Sequence, residues 1–192
     1  MSLFAEEKVY YFVDKGQVNT DKTIEIALSA CKERHIGKMV IASSTGRTAI
    51  RLSDMAGKDI EITAVTYSAG SKYQDDVETF NQNRDLLAER GINIVRGLHA
   101  LSGVERAFEN KYKTPMIPLN IVADTLRIFC HGIKVCVEIA VMAAEHGFIT
   151  PEEEVVVVAG SHRGADTAVV LKPAYGARLF DMRIKALLCM PT

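Results

Sequence analysis

Two short stretches of this 192-residue chain each combine glycine, arginine and several hydroxyl side chains: Ser43-Ser44-Thr45-Gly46-Arg47-Thr48, and Gly160-Ser161-His162-Arg163-Gly164-Ala165-Asp166-Thr167. Both follow a run of β-branched or aliphatic residues, VIA before the first and EVVVVA before the second. The first precedes a helical pattern. A helix N-terminus presents unpaired N–H groups and roughly half a positive charge, and a glycine lets the backbone approach a ligand closely. Hydroxyls at 43, 44, 45 and 48 add donors, and the Arg47 guanidinium can grip an anion with two hydrogen bonds. Phosphate is the natural guest of such a place. The bland alternative is a Ser/Thr helix cap beside a surface arginine. Neither stretch is a Walker A loop or a GxGxxG turn. The second can fold its amides and Arg163 around an anion, or serve as a plain connection with Asp166 as turn former.

Further candidates lie at the ends of other strand-like runs. Thr66 and Tyr67 close EITAVTY, and His99, Ser102 and Gly103 follow INIVRG. If the strands are parallel, their carboxyl ends point the same way and these residues rim one cleft. There Tyr67 offers a flat face to a ring, with His99 and Ser102 as partners for its polar edge. Each also has a purely structural reading as a packed rim residue. Glu138 stands in an almost wholly apolar helical stretch and must be paired or protonated. Lys134, one turn earlier, is a ready partner, and a structural ion pair is the preferred reading over catalysis. His131 is read as a helix-break polar residue. The five histidines show no HxxxH spacing, no CxxC pair exists, and no Ser-His-Asp set or GxSxG elbow is present. No metal site and no catalytic residue is assigned.

The elements that position these residues follow from periodicity. Strands are expected at 9–13, 38–43, 61–67, 92–97, 154–160, 167–173 and 184–190. Helices are expected from about Lys22 to His35 (Thr20 as N-cap, Gly37 as terminator), after Gly46, and from Asp75 to Arg90. Two more are expected from Gly103 to Lys113, before Pro115 and Pro118, and from Leu119 to His146 with an interruption near His131-Gly132. The βαβαβαβ order of the first half predicts a parallel sheet covered on both faces. The two strands around SHRGAD predict a hairpin-like or mixed extension.

Composition is that of a packed chain: 48% hydrophobic, 24% charged, net charge −1. That balance, without a basic run, excludes a dedicated nucleic-acid binder, and no stretch is apolar and long enough to span a bilayer. Length argues for one domain over residues 1–192 and against a complete eight-fold β/α barrel, which takes ~250 residues. Four cysteines without pairing motifs read as reduced thiols, so a cytoplasmic protein is expected.

The run VIASSTGRTAIRLSDM resembles the segment of the pyruvate kinase C-terminal domain where a strand ends in a Ser/Thr-Gly-Arg turn. KVCVEIAVMAAEHGFITPEEEVVVVAGSHRGADTAVVLKP resembles that domain's later part. HALSGVERAF and RGADTAVVLKPA resemble recurring segments of small stand-alone proteins of the same superfamily, from Val9 to Met190. The resemblance implies a three-layer α/β/α sandwich with a mostly parallel, mixed sheet, and a bound flavin mononucleotide (FMN) or another phosphate-bearing small molecule in the cleft. It also implies a homo-oligomer, for which the apolar helix at 133–146 and the C-terminal strand are the expected contact elements. It does not imply pyruvate kinase activity, which resides in a separate barrel. Ala165-Asp166-Thr167 departs from the Thr-Asn of many kinase domains, which weighs against a sugar bisphosphate. The alternatives to flavin binding are a sensor for a sugar phosphate or other nucleotide, and a flavin-dependent oxidoreductase.

Overall fold

A computed structural model describes residues 6–113 and 118–192. Its strands are β1 (Tyr10–Phe12), β2 (Lys38–Ala42), β3 (Glu61–Thr66), β4 (Asn93–Arg96), β5 (Val155–Ala159), β6 (Thr167–Lys172) and β7 (Arg183–Pro191). Among the described residues they form one sheet in the order β1-β7-β6-β5-β2-β3-β4. β6 runs antiparallel to β5 and β7, and every other pair is parallel, so the sheet is mixed as expected.

The central strands are apolar on both sides because helices cover both. Successive side chains alternate between faces. Met39, Ile41, Val156, Val158, Ala168 and Val170 enter one core, and Val40, Val155, Val157, Val169 and Leu171 enter the other. The first core is closed by α1 (Thr20–Arg34), α2 (Arg47–Met55), α3 (Gln74–Gln82) and α4 (Arg84–Glu89). The second is closed chiefly by α7 (His131–Glu145), with α6 (Pro118–Arg127) beside it; α5 is Glu105–Tyr112. The result is the three-layer α/β/α arrangement.

Several boundaries differ from the periodicity, each for a local reason. Thr20 is the first helical residue of α1 rather than its cap, because a 3-10 turn at Gln17–Asn19 precedes it. Its Oγ1 donates to the Gln17 carbonyl (2.8 Å) and accepts the Ala165 N–H (3.0 Å), tying the helix to the 160–166 loop. α1 ends at His35, in the left-handed region at φ 55°, and not at Gly37. The single helix expected at 75–90 is two, broken at Asn83, whose Nδ2 donates to the Thr45 carbonyl at 2.9 Å. The interruption expected near His131-Gly132 is present but falls earlier, at 128–130, between α6 and α7. The stop expected at Pro115 lies outside the described residues.

One expectation about subunit contacts is corrected. α7 is buried nearly all round by its own chain, from Gly132 to Ala144 with only Val135 partly open. β7 lies between β1 and β6. α7 is therefore no free face for a second copy, whereas β1 pairs with β7 only at Cys189–Pro191 and leaves the outer edge of 183–188 without a strand partner among the described residues. Gly132 is what lets α7 dock: a Cβ there would meet Thr167 Oγ1 at 2.0 Å.

Candidate functional site

β2, β3, β4 and β5 point their carboxyl ends to one edge of the sheet, and the loops that follow them surround a cleft of about 1400 Å³. From the β2 loop, Ser43, Ser44 and Thr48 line it. Thr66 and Tyr67 come from β3, and His99, Ser102 and Gly103 from the β4 loop. Gly160, Ser161, Arg163 and Gly164 come from the β5–β6 hairpin. Thr45, Gly46, Arg47, Ala165, Asp166 and Thr167 are not in the lining.

The β2–α2 turn is held rigid. Gly46 takes φ 86°, and its Cα side faces Asn83 and Leu87 so closely that a Cβ would lie 3.2 Å from each. Thr66 Oγ1 and Asn83 Nδ2 donate to the carbonyls of Ser44 (3.3 Å) and Thr45 (2.9 Å). The first intrahelical bond of α2 is Ile50 N–H to the Gly46 carbonyl, and Ala49 N–H goes to Ser43 Oγ at 3.3 Å. Of the four amides that a helix start leaves open, those of Gly46, Arg47 and Thr48 therefore remain. Arg47 itself is exposed and stands outside the cleft, so its side chain does not complete this seat.

The cation nearest that role is Arg163. Its guanidinium pairs with Asp76 at 3.0 Å, with Arg163 well exposed and Asp76 mostly covered. Since β5 and β3 flank β2, this pair joins the β5–β6 loop to the first turn of α3 from either side of the β2 turn. Asp166 acts inside the loop instead. Its carboxylate accepts the N–H groups of Gly16 (2.7 Å) and Ser161 (3.2 Å) and the Thr167 hydroxyl (2.8 Å).

Farther along the cleft, three rings form a row. Tyr67 stacks on Tyr73 (centroids 5.2 Å apart) and on His99 (6.0 Å apart). Burial first, then the charge of Asp76, pushes the Tyr67 hydroxyl up from its ordinary value. Beneath lies Glu138, paired with Lys134 (2.6 Å) as expected, and also with Leu101 N–H (3.1 Å) and His99 Nδ1 (3.4 Å). Burial alone would push this carboxyl up; His99 and Lys134 outweigh it and hold it at about 2. Burial pulls the Lys134 ammonium down, with Glu138 opposing. Burial, with Lys134 and Arg127 behind it, also pulls His131 down.

The family model of the pyruvate kinase alpha/beta domain matches residues 21–171. The chain belongs to that family. The match takes in both Arg-Gly-hydroxyl loops and the whole of α7, so the pyruvate kinase α/β-domain framework is what places these side chains around one cleft.

Residue-type reasoning overlooked Tyr73 and the cations Arg106 and Arg127, which also line the cleft. Tyr73 was findable, since the carboxyl-end rule covers the whole loop after β3. The arginines were not, because α5 and α6 carry no motif. Among the described residues no cluster of His, Cys, Asp and Glu is arranged to hold a metal. No helix among them is long and apolar enough to cross a membrane.

Proposed function

We propose that this protein binds flavin mononucleotide, with the phosphate on the opening turn of α2 and the ring system against Tyr67 and His99. The observation that carries the reading is that the hydroxyl-bearing start of α2, Ser44 and Thr48, shares one cleft with a row of stacked rings. The sheet order puts β2, β3 and β4 side by side. Strands lie roughly 4.8 Å apart, so the seat and the His99 loop are separated by on the order of 10 Å. That span suits a phosphate joined to a flat ring through a chain of several atoms, and is too long for a free phosphate or a triose phosphate to bridge. In this arrangement Ser44 and Thr48, with the amide of Thr48, hold the phosphate, and Arg163 turns to it from Asp76. Ser43 and Thr66 keep the turn in shape. Ser102, Gly103 and His99 meet the polar edge of the ring. Gly160, Ser161 and Gly164 form the opposite lip.

The test is titration of the ligand-free chain with FMN, riboflavin and a sugar bisphosphate, followed by thermal melting. A ligand at about 100 times its Kd stabilises by about 2.7 kcal/mol, or roughly 5–10 °C for a chain of this size. FMN is expected to give that rise, a flavin absorption band after gel filtration, and binding at least about tenfold tighter than riboflavin. No rise and no bound flavin would refute the reading. A rise with the sugar bisphosphate alone would assign the cleft to a phosphate sensor. Flavin reduction by a nicotinamide donor would add oxidoreductase activity.

A further inference from the structure

Glu138 and Lys134 are buried on α7, yet both border the cleft, and they meet a ring that lines it. Glu138 Oε2 takes the Lys134 ammonium at 2.6 Å and faces His99 Nδ1 at 3.4 Å, while Oε1 accepts the Leu101 N–H at 3.1 Å. With an ammonium and an amide donating to it the carboxyl is ionised, and an ionised carboxylate only accepts hydrogen bonds. A ring-nitrogen lone pair turned toward it would be repelled, so Nδ1 carries a proton. The neutral imidazole then keeps its lone pair on Nε2, across the ring from Glu138. Among the described residues nothing donates to that lone pair, and the ring lines the cleft. Tyr67, stacked on His99 with 16° between the planes, fixes the plane in which Nε2 can accept.

Two donors accompany this acceptor. His99 and Ser102 are antiparallel bridge partners that close a tight turn, with Ser102 N–H on the His99 carbonyl at 3.1 Å. Side chains of such partners leave the chain on the same face as close neighbours. Ser102 also lines the cleft, and its hydroxyl has no partner among the described residues. Lys134 Nζ and His99 Nδ1 share Glu138 Oε2, at 2.6 and 3.4 Å, so they lie no more than about 6 Å apart. Glu138 is the one acceptor that Lys134 has among the described residues, and an ammonium carries three donors.

We propose that His99 makes the cleft selective for a ring imide, an N–H between two carbonyls: Nε2 accepts from the N–H, and Ser102 Oγ and Lys134 Nζ donate to the carbonyls. A ring that offers a lone pair where the imide has its N–H sets two acceptors against each other, and a site built around such a hydrogen bond rejects the analogue that lacks it. The inference rests on the placement of the ligand ring at His99 given under the proposed function, and not on that ring being a flavin. The isoalloxazine ring of FMN and the uracil ring of uridine monophosphate both carry an imide.

The experiment combines NMR of the imidazole nitrogens in the ligand-free chain at pH 8 with two pairs of calorimetric titrations. One pair is FMN against its imide N-methyl derivative. The other is uridine monophosphate against cytidine monophosphate, whose ring has the same shape with a lone pair in place of the imide N–H. The His99 signals, assigned by their loss in His99→Ala, are expected to show the proton on Nδ1. The imide member of a pair is expected to bind at least about tenfold tighter than its partner. In His99→Ala that ratio falls to about twofold or less. If FMN fails to bind while uridine monophosphate shows the His99-dependent preference, the imide selection stands and the flavin reading falls. If FMN binds no tighter than its N-methyl derivative, or the preference survives in His99→Ala, the imide selection is overturned and the flavin reading stands. A proton on Nε2 in the ligand-free chain, or no binding of either FMN or uridine monophosphate, overturns it as well.

Discussion

The Lys134–Glu138 pair offers the sharpest test of how the cleft is held together. Glu138 is 2% exposed and Lys134 4%. The carboxyl is held at about 2 instead of 4.5. At about 1.4 kcal/mol for each pKa unit, the fold gains on the order of 3 kcal/mol from keeping it ionised. Removing one member of a buried pair costs a similar ~3–5 kcal/mol, because the other charge is left without compensation. Glu138→Gln and Lys134→Met are each expected to lower urea-unfolding stability at pH 7 by about 3 kcal/mol. The double variant keeps an oxygen for the Leu101 N–H and buries no lone charge, so it should fall short of the summed losses by at least about 2 kcal/mol. If a single variant does not fold, recovery of folding in the double variant carries the same information. The wild-type contribution is complete above about pH 4.5 and is lost progressively as pH falls toward 2, since the folded carboxyl titrates below the unfolded one. The double variant should lack that part of the acid limb. Additive losses at pH 7, with an unchanged acid limb, would refute the reasoning.

Other consequences are simpler to measure. Gly132→Ala puts a methyl 2.0 Å from Thr167 Oγ1 and 2.4 Å from its Cβ. The α7–β6 contact must then open, and a loss of about 3 kcal/mol or more in chemical denaturation is expected. Asp76→Asn and Arg163→Gln each remove an ion pair whose arginine is well exposed and should change stability by about 1 kcal/mol. They should act oppositely on FMN affinity: Asp76→Asn frees Arg163 and strengthens binding, and Arg163→Gln weakens it, both readable by fluorescence titration. Burial raises the Cys31 and Cys189 thiols to about 12, and Cys136 is also buried. A thiol reagent at pH 8 should therefore label the native protein at Cys130 alone, which partly faces solvent in the cleft, and all four cysteines after unfolding.

The β/α framework was legible because its signals are redundant. VVVV in β5 and MVI in β2 are apolar on consecutive residues, which only a strand covered on both faces sustains. Glu138 and Lys134 were paired on paper by helical spacing alone. The boundaries that eluded periodicity are those where a side chain serves a distant turn. Asn83 leaves α3 to reach Thr45, and Thr20 serves Ala165 rather than its own helix start. Nothing in the local sequence encodes the remote partner. His99 could be placed at the cleft from the end of β4, but its carboxylate comes from α7, on an element packed beneath.

The two Arg-Gly-hydroxyl loops look alike as strings and differ in physics, and the direction of β6 is the reason. After β2 the chain crosses into a helix, so the 43–48 turn receives a helix N-terminus and its open amides. After β5 it turns straight back into an antiparallel strand, so the 160–166 loop has no helix behind it. The buried Asp166 carboxylate takes one amide of that loop, Ser161 N–H, and ties the loop to Gly16 N–H. A helix N-terminus therefore stands behind the first loop and not behind the second. What the second offers is the Arg163 side chain, on the solvent side of the loop and held by a weak pair to Asp76. The difference follows from topology: the β2 turn has a helix start behind it, and the hairpin presents a well-exposed arginine paired with Asp76.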